Sequence, residues 1–158
     1  MFFKNSHNSN LYNKLLLLSR NIFFYKNLSL KDSFETRVFL MFFHYSIILI
    51  IFKKKKYKSD QENYNNLFYC IENNLRELGL GDISVNKKMK DLNKIFYDIL
   101  IKVNIDKINF KLNNDLIVKY FSNLKENEQK LRKCAFFRGY VRTCVEQYSD
   151  ASLRSLSE

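Results

Sequence analysis

Apolar residues recur at three- and four-residue steps along most of this chain, which is the spacing of one face of an α-helix. One such stripe is Tyr64, Leu67, Phe68, Ile71, Leu75 and Leu78. A second stripe is Val85, Met89, Leu92, Phe96 and Ile99. Between them lie Gly79 and Gly81, two of only three glycines in the chain. The pattern predicts two helices joined by a tight corner, in which Gly79 takes left-handed dihedral angles and Asp82 or Ser84 caps the second helix.

Capping residues and polar breaks predict where the other helices begin and end. Asp32 or Ser33 followed by Glu35 marks one helix start, because such a pair satisfies free backbone amides reciprocally. The predicted segments are, in order, a helix over 11–21, a turn or connector over 22–30, a helix that includes 38–52, a helix from a capping box at 59–62 to residue 78, a helix over 82–100, a polar connector over 104–114, a short helix over 115–124 and a long last helix capped by Asn123 and Glu126. The sequence therefore predicts an all-α fold, a single compact domain of about six or seven helices.

We expect this domain to occupy residues 11–148, between a flexible N-terminal arm over 1–10 and a polar tail over 149–158. The aromatic cluster Phe23, Phe24 and Tyr25 is either a plug in the core or a small hydrophobic anchor. In the last helix the apolar stripe is Leu131, Cys134, Val141, Val145 and Tyr148. Gly139 within that helix predicts a close helix crossing or a kink.

The run from Val38 to Phe52 is apolar throughout except for His44, Tyr45 and Ser46. A membrane-spanning helix needs about 20 apolar residues to cross about 30 Å of hydrocarbon, whereas these fifteen residues reach about 22 Å. The length favours a central buried helix over a membrane span. The span stays an alternative, because flanking lysines can extend the reach of an apolar run.

Charge is distributed unevenly along the 158 residues, whose net charge is +11. Residues 1–58 carry eleven Lys and Arg against Asp32 and Glu35, a net charge of +9, whereas residues 59–158 carry +2. The first part therefore attracts anions, and the candidates are an anionic membrane surface, ribosomal RNA and an acidic protein. Charge alone does not choose among these three.

Four consecutive lysines, Lys53, Lys54, Lys55 and Lys56, follow the apolar run. One interpretation is a solvated helix end, where cations also favour the C-terminal dipole. The other is contact with anionic lipid, to which each lysine near the surface contributes about 1 kcal/mol. RNA contact is a third option, although the chain lacks the sequence signature of an RNA-binding sheet.

Candidate chemistry is sparse. The sequence has no phosphate-binding glycine loop, no serine elbow and no HExxH motif, and we predict no catalytic residue and no cofactor. Cys70, Cys134 and Cys144 have no paired spacing, so we expect buried free thiols rather than a metal site. His44 on its apolar helix is typical of a core histidine with one satisfied hydrogen bond, and a haem or metal contact is the alternative.

The corner and its surroundings resemble a known family. The run Leu75 to Val85, reading LRELGLGDISV, is followed by Lys87, Lys88, Met89 and Phe96-Tyr97. Together these residues resemble the signature of the ubiquinol–cytochrome c chaperone family. Upstream similarities are Tyr12-Asn13, Phe24-Tyr25, Arg37, His44 and the lysines from Lys53. The resemblance covers residues 11–103 well and the chain from Tyr140 onward more weakly.

This resemblance implies an assembly chaperone for the respiratory cytochrome bc complex that acts on newly made cytochrome b, and it does not imply an enzyme or a small-molecule substrate. The partner-binding residues that we predict are Arg76, Glu77, Gly79, Gly81, Asp82, Lys87, Lys90, Lys94 and Tyr97. We predict that Lys53–Lys56 contact the membrane surface. The expected location is peripheral, at the cytoplasmic or matrix side of a respiratory membrane, with the ribosome exit region as another partner. The rival interpretations are a single-span inner-membrane protein and a ribosome- or RNA-binding module.

Overall fold

The computed structural model describes residues 10–57, 61–105, 110–111, 114–121 and 129–149. In this part of the chain the elements are α1 (Asn10–Ser19), α2 (Ile22–Lys26), α3 (Phe34–Lys54), α4 (Gln61–Glu77), α5 (Asp82–Lys102), β1 (Asn104–Ile105), β2 (Phe110–Lys111), α6 (Asn114–Tyr120) and α7 (Gln129–Ser149). The described residues thus hold seven helices around one hydrophobic core, which confirms the predicted all-α fold. The two strands form an antiparallel pair of two residues each, inside the segment predicted to be a connector.

α3 is the central helix of the core. Its residues 40–48 are all buried, because α1, α5 and α7 pack around it. A helix that is apolar on every side is stable in water only when it is covered on every side. α3 is long and apolar enough to cross a membrane by length and composition, and 61% of its most apolar stretch is buried within the protein. This packing favours the predicted central helix over the membrane span.

α4 and α5 cover one side of α3. Phe42 of α3 stacks on Phe68 of α4 with ring centroids 5.5 Å apart and meets Phe96 of α5 edge-on at 5.3 Å. Near the start of α3, Glu35 forms an ion pair with Lys88. Further along, Tyr45 of α3 stacks on Phe96 of α5 at 5.7 Å, so the two helices run in the same direction. The end of α4 lies beside the start of α3, so α4 is antiparallel to both.

α2 and α7 cover another side of α3. Phe24 is fully buried and lies against His44, Phe137 and Tyr140, with ring centroids 4.8 to 6.0 Å away. This burial confirms the predicted core plug for Phe24, whereas Phe23 and Tyr25 are only partly buried. The predicted turn over 22–30 is in part wrong, because Ile22–Lys26 is helical. The Asn21 side chain accepts a hydrogen bond from the Phe23 amide at 3.0 Å and so caps this short helix.

The residues that cap the helix starts were predicted less accurately than the presence of the helices. α3 begins as expected, with the Ser33 hydroxyl accepting a hydrogen bond from the Thr36 amide at 3.2 Å. The predicted cap on α5 was wrong. Gly81 is its N-cap and makes no side-chain cap bond, and Asp82 is already the first helical residue. The arm over 1–9, the capping residues Ser59 and Asp60, the cap at Asn123 and Glu126, and the tail from residue 150 lie outside the described residues.

In α7 the predicted apolar stripe is confirmed at Cys134 and Val141, which are buried together with Phe137 and Cys144. The prediction of a close helix crossing at Gly139 was wrong, because a Cβ atom added there would meet no heavy atom within 4 Å. Gly139 instead lies on the exposed side of α7.

Candidate partner-binding surface

The corner between α4 and α5 has the geometry that its glycines predict. Gly79 has a φ of +86°, which confirms the predicted left-handed conformation. The Leu80 amide donates to the Leu75 carbonyl at 3.3 Å, and the Gly79 amide donates to the Arg76 carbonyl at 2.9 Å. These two bonds form a Schellman motif, which satisfies carbonyls that the helix end would leave unpaired. The direction in which α5 leaves α4 is therefore set by the backbone.

Arg76 ties the two sides of the corner together. Its guanidinium donates to Glu72 of α4 at 2.8 Å and also forms an ion pair with Asp82 of α5. The hydrogen bonds that Arg76 donates to Glu72 and Asp82 raise the pKa of Arg76. All three side chains are substantially exposed to solvent. Arg76 and Asp82 therefore hold the corner and at the same time present a charged surface.

Apolar side chains are exposed at the same corner. Leu78 is 61% exposed and Ile83 is 88% exposed, and the neighbouring predicted partner-binding residue Glu77 is also exposed. Exposed single apolar residues are ordinary on a protein surface. Here two of them lie within a few residues of each other and beside an ion pair, so the corner offers apolar and polar contacts together.

α5 presents one long exposed face to solvent. We call this the outer face of α5, and it consists of Ile83, Lys87, Lys90, Lys94, Tyr97 and Ile101. At 100° per residue these six positions fall within an arc of about 80°. Val85, Leu92, Phe96 and Ile99, which are buried in the core, lie on the opposite side. The predicted residues Lys87, Lys90, Lys94 and Tyr97 thus do share one exposed face.

The lysines of this outer face have little opposing charge nearby. Lys94 lies 4.0 Å from Asp91, at the limit of an ion pair. Within the described ranges no ion pair is formed by Lys87 or Lys90. Tyr97 is half exposed and meets the buried Phe96 edge-on at 5.5 Å. The centre of the outer face is therefore cationic and its two ends are apolar.

Lys53–Lys56 lie at the C-terminal end of α3 and are all exposed. Lys56 has a φ of +58°, the Tyr57 amide donates to the Phe52 carbonyl at 2.9 Å, and the two rings lie 5.9 Å apart. This is a second Schellman motif with its usual apolar contact. Because α3 and α5 run in the same direction, these lysines lie at the end of the molecule where α5 ends. The corner lies about 30 Å away, at the end where α3 and α5 begin.

The predicted contact residues therefore do not form one compact patch. The outer face of α5 extends from the corner at one end toward the lysine cluster at the other.

Asp98, on the flank of α5, accepts hydrogen bonds from Lys119 at 2.8 Å and from the Tyr120 hydroxyl, and pairs with Lys102 at 2.5 Å. Those bonds hold its pKa far below the usual range. Sequence spacing reveals the Asp98–Lys102 pair but not the partners on α6, which come from tertiary packing.

His44 is a core residue, as first predicted. Its Nδ1 lies 2.7 Å from the Leu40 carbonyl oxygen, and its Nε2 lies 3.1 Å from the Tyr140 hydroxyl. Nδ1–H therefore donates to the carbonyl, and Nε2 accepts from the tyrosine. Burial lowers the pKa of His44 to about 4. The neutral ring joins α3 to α7, and both of its nitrogens are engaged within the protein.

Cys70, Cys134 and Cys144 are buried thiols that are not joined in a disulfide bond, as predicted. Burial raises the pKa of Cys70 and of Cys144. In the described part of the chain no group of three or more His, Cys, Asp or Glu side chains is placed to hold a metal ion. The surroundings of the thiols are those of small core side chains.

Sequence reasoning missed an apolar groove between α2 and α7. It has a volume of about 700 Å³ and is lined by Phe23, Arg132, Ala135, Phe136, Gly139 and Tyr140. The rings of Phe23 and Tyr140 stack at 5.3 Å to form one wall, and Phe136 is 58% exposed. Gly139 was the available signal, since a small residue on an exposed helix face leaves room for a groove.

The described residues form an all-α domain with a cationic helix face and an apolar groove that are exposed to solvent. The family model described as Ubiquinol-cytochrome C chaperone matches residues 26–157. The chain therefore belongs to the ubiquinol–cytochrome c chaperone family. Neither a curated protein nor a solved structure matches it. The match also covers residues 104–139, where the sequence showed no resemblance, whereas the similarities noted at Tyr12-Asn13 and Phe24-Tyr25 lie outside it.

Proposed function

We propose that this protein is an assembly chaperone that binds newly made cytochrome b during assembly of ubiquinol–cytochrome c reductase. Membership of the ubiquinol–cytochrome c chaperone family carries the proposal. A chaperone for a membrane protein must cover apolar client surface beside the membrane without becoming a permanent part of the membrane. The exposed features of this chain fit both requirements.

The client-binding surface that we propose is the corner together with the outer face of α5. Leu78 and Ile83 supply exposed apolar contacts, and Arg76 and Asp82 supply charges at the same place. Exposed apolar groups bordered by polar ones are typical of protein interaction sites. Charged groups around an apolar contact add specificity and fast association more than affinity. Such a surface suits a client that must be bound and then released.

Lys53–Lys56 are the proposed contact with anionic lipid headgroups. They are exposed, and their turn holds them at one end of α3. The burial of α3 in the core supports peripheral attachment rather than a span. The proposed location is therefore the cytoplasmic or matrix side of a respiratory membrane, near the ribosome exit region where cytochrome b emerges. Binding and release of the client require no catalytic residue, cofactor or small-molecule substrate.

The test is a pulldown of the tagged protein from its native membranes, with identification of the proteins that co-purify. We expect cytochrome b to be recovered and to be lost when Arg76→Ala and Asp82→Ala are combined. The matched control is Arg142→Ala with Glu146→Ala, which removes another exposed arginine–carboxylate pair, on α7. Both double variants leave the net charge unchanged, so a general loss of charge does not distinguish them.

Other outcomes would contradict the proposal. Ribosomal proteins and RNA without cytochrome b, with binding that is lost on RNase treatment, would favour the RNA-binding module. Retention in the membrane after carbonate extraction would favour the single-span protein, since carbonate removes a peripheral protein. Equal loss of cytochrome b in both double variants would show that the corner is not the specific contact.

A further inference from the structure

The residues of the outer face of α5 are spaced so that a second helix can pack along it. From Ile83 to Ile101 the steps between successive members alternate between four and three residues. The face therefore repeats every seven residues, as a coiled-coil seam does, along which a second helix keeps contact when the two supercoil. The seam is about 27 Å long, and the described residues leave it uncovered by any other element of the chain.

The chemistry along this seam is ordered. Ile83 and Ile101, which are 88% and 79% exposed, lie at the two ends. Lys87, Lys90 and Lys94 lie between them. Tyr97 adds a half-exposed ring beside the last lysine. A complementary helix would therefore carry apolar residues near its ends and carboxylates in its middle.

We propose that the outer face of α5 binds one acidic amphipathic helix of a protein partner. The partner's carboxylates pair with the three lysines, and its terminal apolar side chains contact Ile83 and Ile101. This inference deepens the proposed function and rests on it for one point, that the face is used for protein binding. It adds the chemical character of the bound segment, which family membership does not supply.

The order of residues along the face argues against a membrane as the occupant. A helix that lies on a bilayer carries an apolar stripe along its whole length, with its cations on the opposite side or at the margins of the stripe. Here cations occupy the centre of the stripe itself, where they would face the hydrocarbon. Single-stranded RNA is disfavoured as well, because it is bound by stacking successive bases on several aromatic rings, and this face has only Tyr97.

The strength of the proposed contact is moderate. Three exposed ion pairs that form together change affinity by about threefold to 150-fold. A face of this length with two apolar contacts suits a transient complex, which is what a chaperone that releases its client needs.

The experiment uses the full chain and synthetic helical peptides of about 20 residues, matched to the length of the face. The acidic peptide has leucines near both ends and glutamates at the central facing positions. A second peptide has lysines in place of the glutamates, and a third has the composition of the acidic peptide in scrambled order. Binding is measured by calorimetry at low and high salt.

We expect the acidic peptide to bind at least about tenfold more tightly than the other two, and to weaken with salt. The combined variant Lys87→Glu, Lys90→Glu, Lys94→Glu is expected to reverse the preference toward the lysine peptide. That gain of binding cannot arise from misfolding. The control variant Arg20→Glu, Lys26→Glu, Lys31→Glu changes the charge equally at exposed sites elsewhere and should keep the preference for the acidic peptide.

Equal binding of the three peptides, or a preference that the charge reversal does not change, would overturn the inference. The inference would also be overturned if the peptides fail to bind and the protein instead binds an RNA homopolymer or anionic vesicles, with that binding lost in the α5 variant and kept in the control variant. The proposed function is tested separately. Recovery of cytochrome b without peptide binding would overturn this inference alone, and peptide binding without cytochrome b would overturn the client assignment alone.

Discussion

Replacing Gly79 by alanine tests whether the corner is set by backbone conformation. Gly79 has a φ of +86°, which an L-residue adopts at a cost of about 1–2 kcal/mol. A Cβ atom at this position would meet nothing within 4 Å, so no steric clash adds to that cost. Alanine also lowers the entropy of the unfolded chain, which offsets about 0.4–1 kcal/mol. The net expectation is a loss of about 1 kcal/mol in the free energy of unfolding.

Gly81 supplies the matched control two residues away. Its φ of −72° and ψ of 161° are open to any residue, and a Cβ there also meets nothing within 4 Å. In Gly81→Ala the entropy gain is offset by the poorer N-cap that alanine makes, so we expect a change within about 0.5 kcal/mol. Both substitutions add a methyl group to the same corner, and the two positions differ in the sign of the backbone angle φ.

The assay is urea unfolding followed by circular dichroism, supported by thermal melts. A loss of 1 kcal/mol in a chain of this size lowers Tm by about 2–4 °C. Gly79→Asn should lose less than Gly79→Ala, since asparagine tolerates left-handed dihedral angles. Equal losses for Gly79→Ala and Gly81→Ala would refute the reasoning, and so would full stability of Gly79→Ala.

Two further predictions concern titration and lipid. The pKa of His44 is lowered to about 4 by burial, from 6.5 in the unfolded chain, so the unfolded chain binds its proton first as pH falls. Titration of His44 therefore does not change the free energy of unfolding above about pH 6.5. As the pH falls from there toward 4, the free energy of unfolding decreases by up to about 3 kcal/mol. The free energy of unfolding, measured by urea titration at several pH values, should therefore fall more steeply with decreasing pH for the wild type than for His44→Gln. Equal pH dependence of the two proteins would contradict the burial argument. Replacing Lys53–Lys56 by glutamine should weaken binding to anionic vesicles about a thousandfold, at about 1 kcal/mol per lysine. Binding to neutral vesicles should not change, and unchanged binding to anionic vesicles would remove these lysines as the lipid contact.

The sequence predicted those features that depend on a few neighbouring residues. Gly79 predicted its own left-handed turn because few other residues adopt that conformation at low cost. The lysines of α5 share one face because helical spacing alone decides which residues are neighbours on a helix surface. The short helix α2 was missed, since its five residues are too few to show a period. The cap at Asp82 was misassigned because an acidic residue suits the N-cap and the first helical position alike.

What the sequence by itself determined is the set of helices apart from α2, the corner, the cationic outer face of α5 and the concentration of charge in the first part of the chain. Tertiary structure alone decided how these features lie relative to one another. α3 is apolar on all sides, so its periodicity does not say which neighbour covers which side. The bond between His44 and Tyr140 joins residues 96 positions apart, and no local pattern predicts it. The parallel course of α3 and α5 separates the corner from Lys53–Lys56, because helix direction is fixed by packing across the core and not by the residues of either helix.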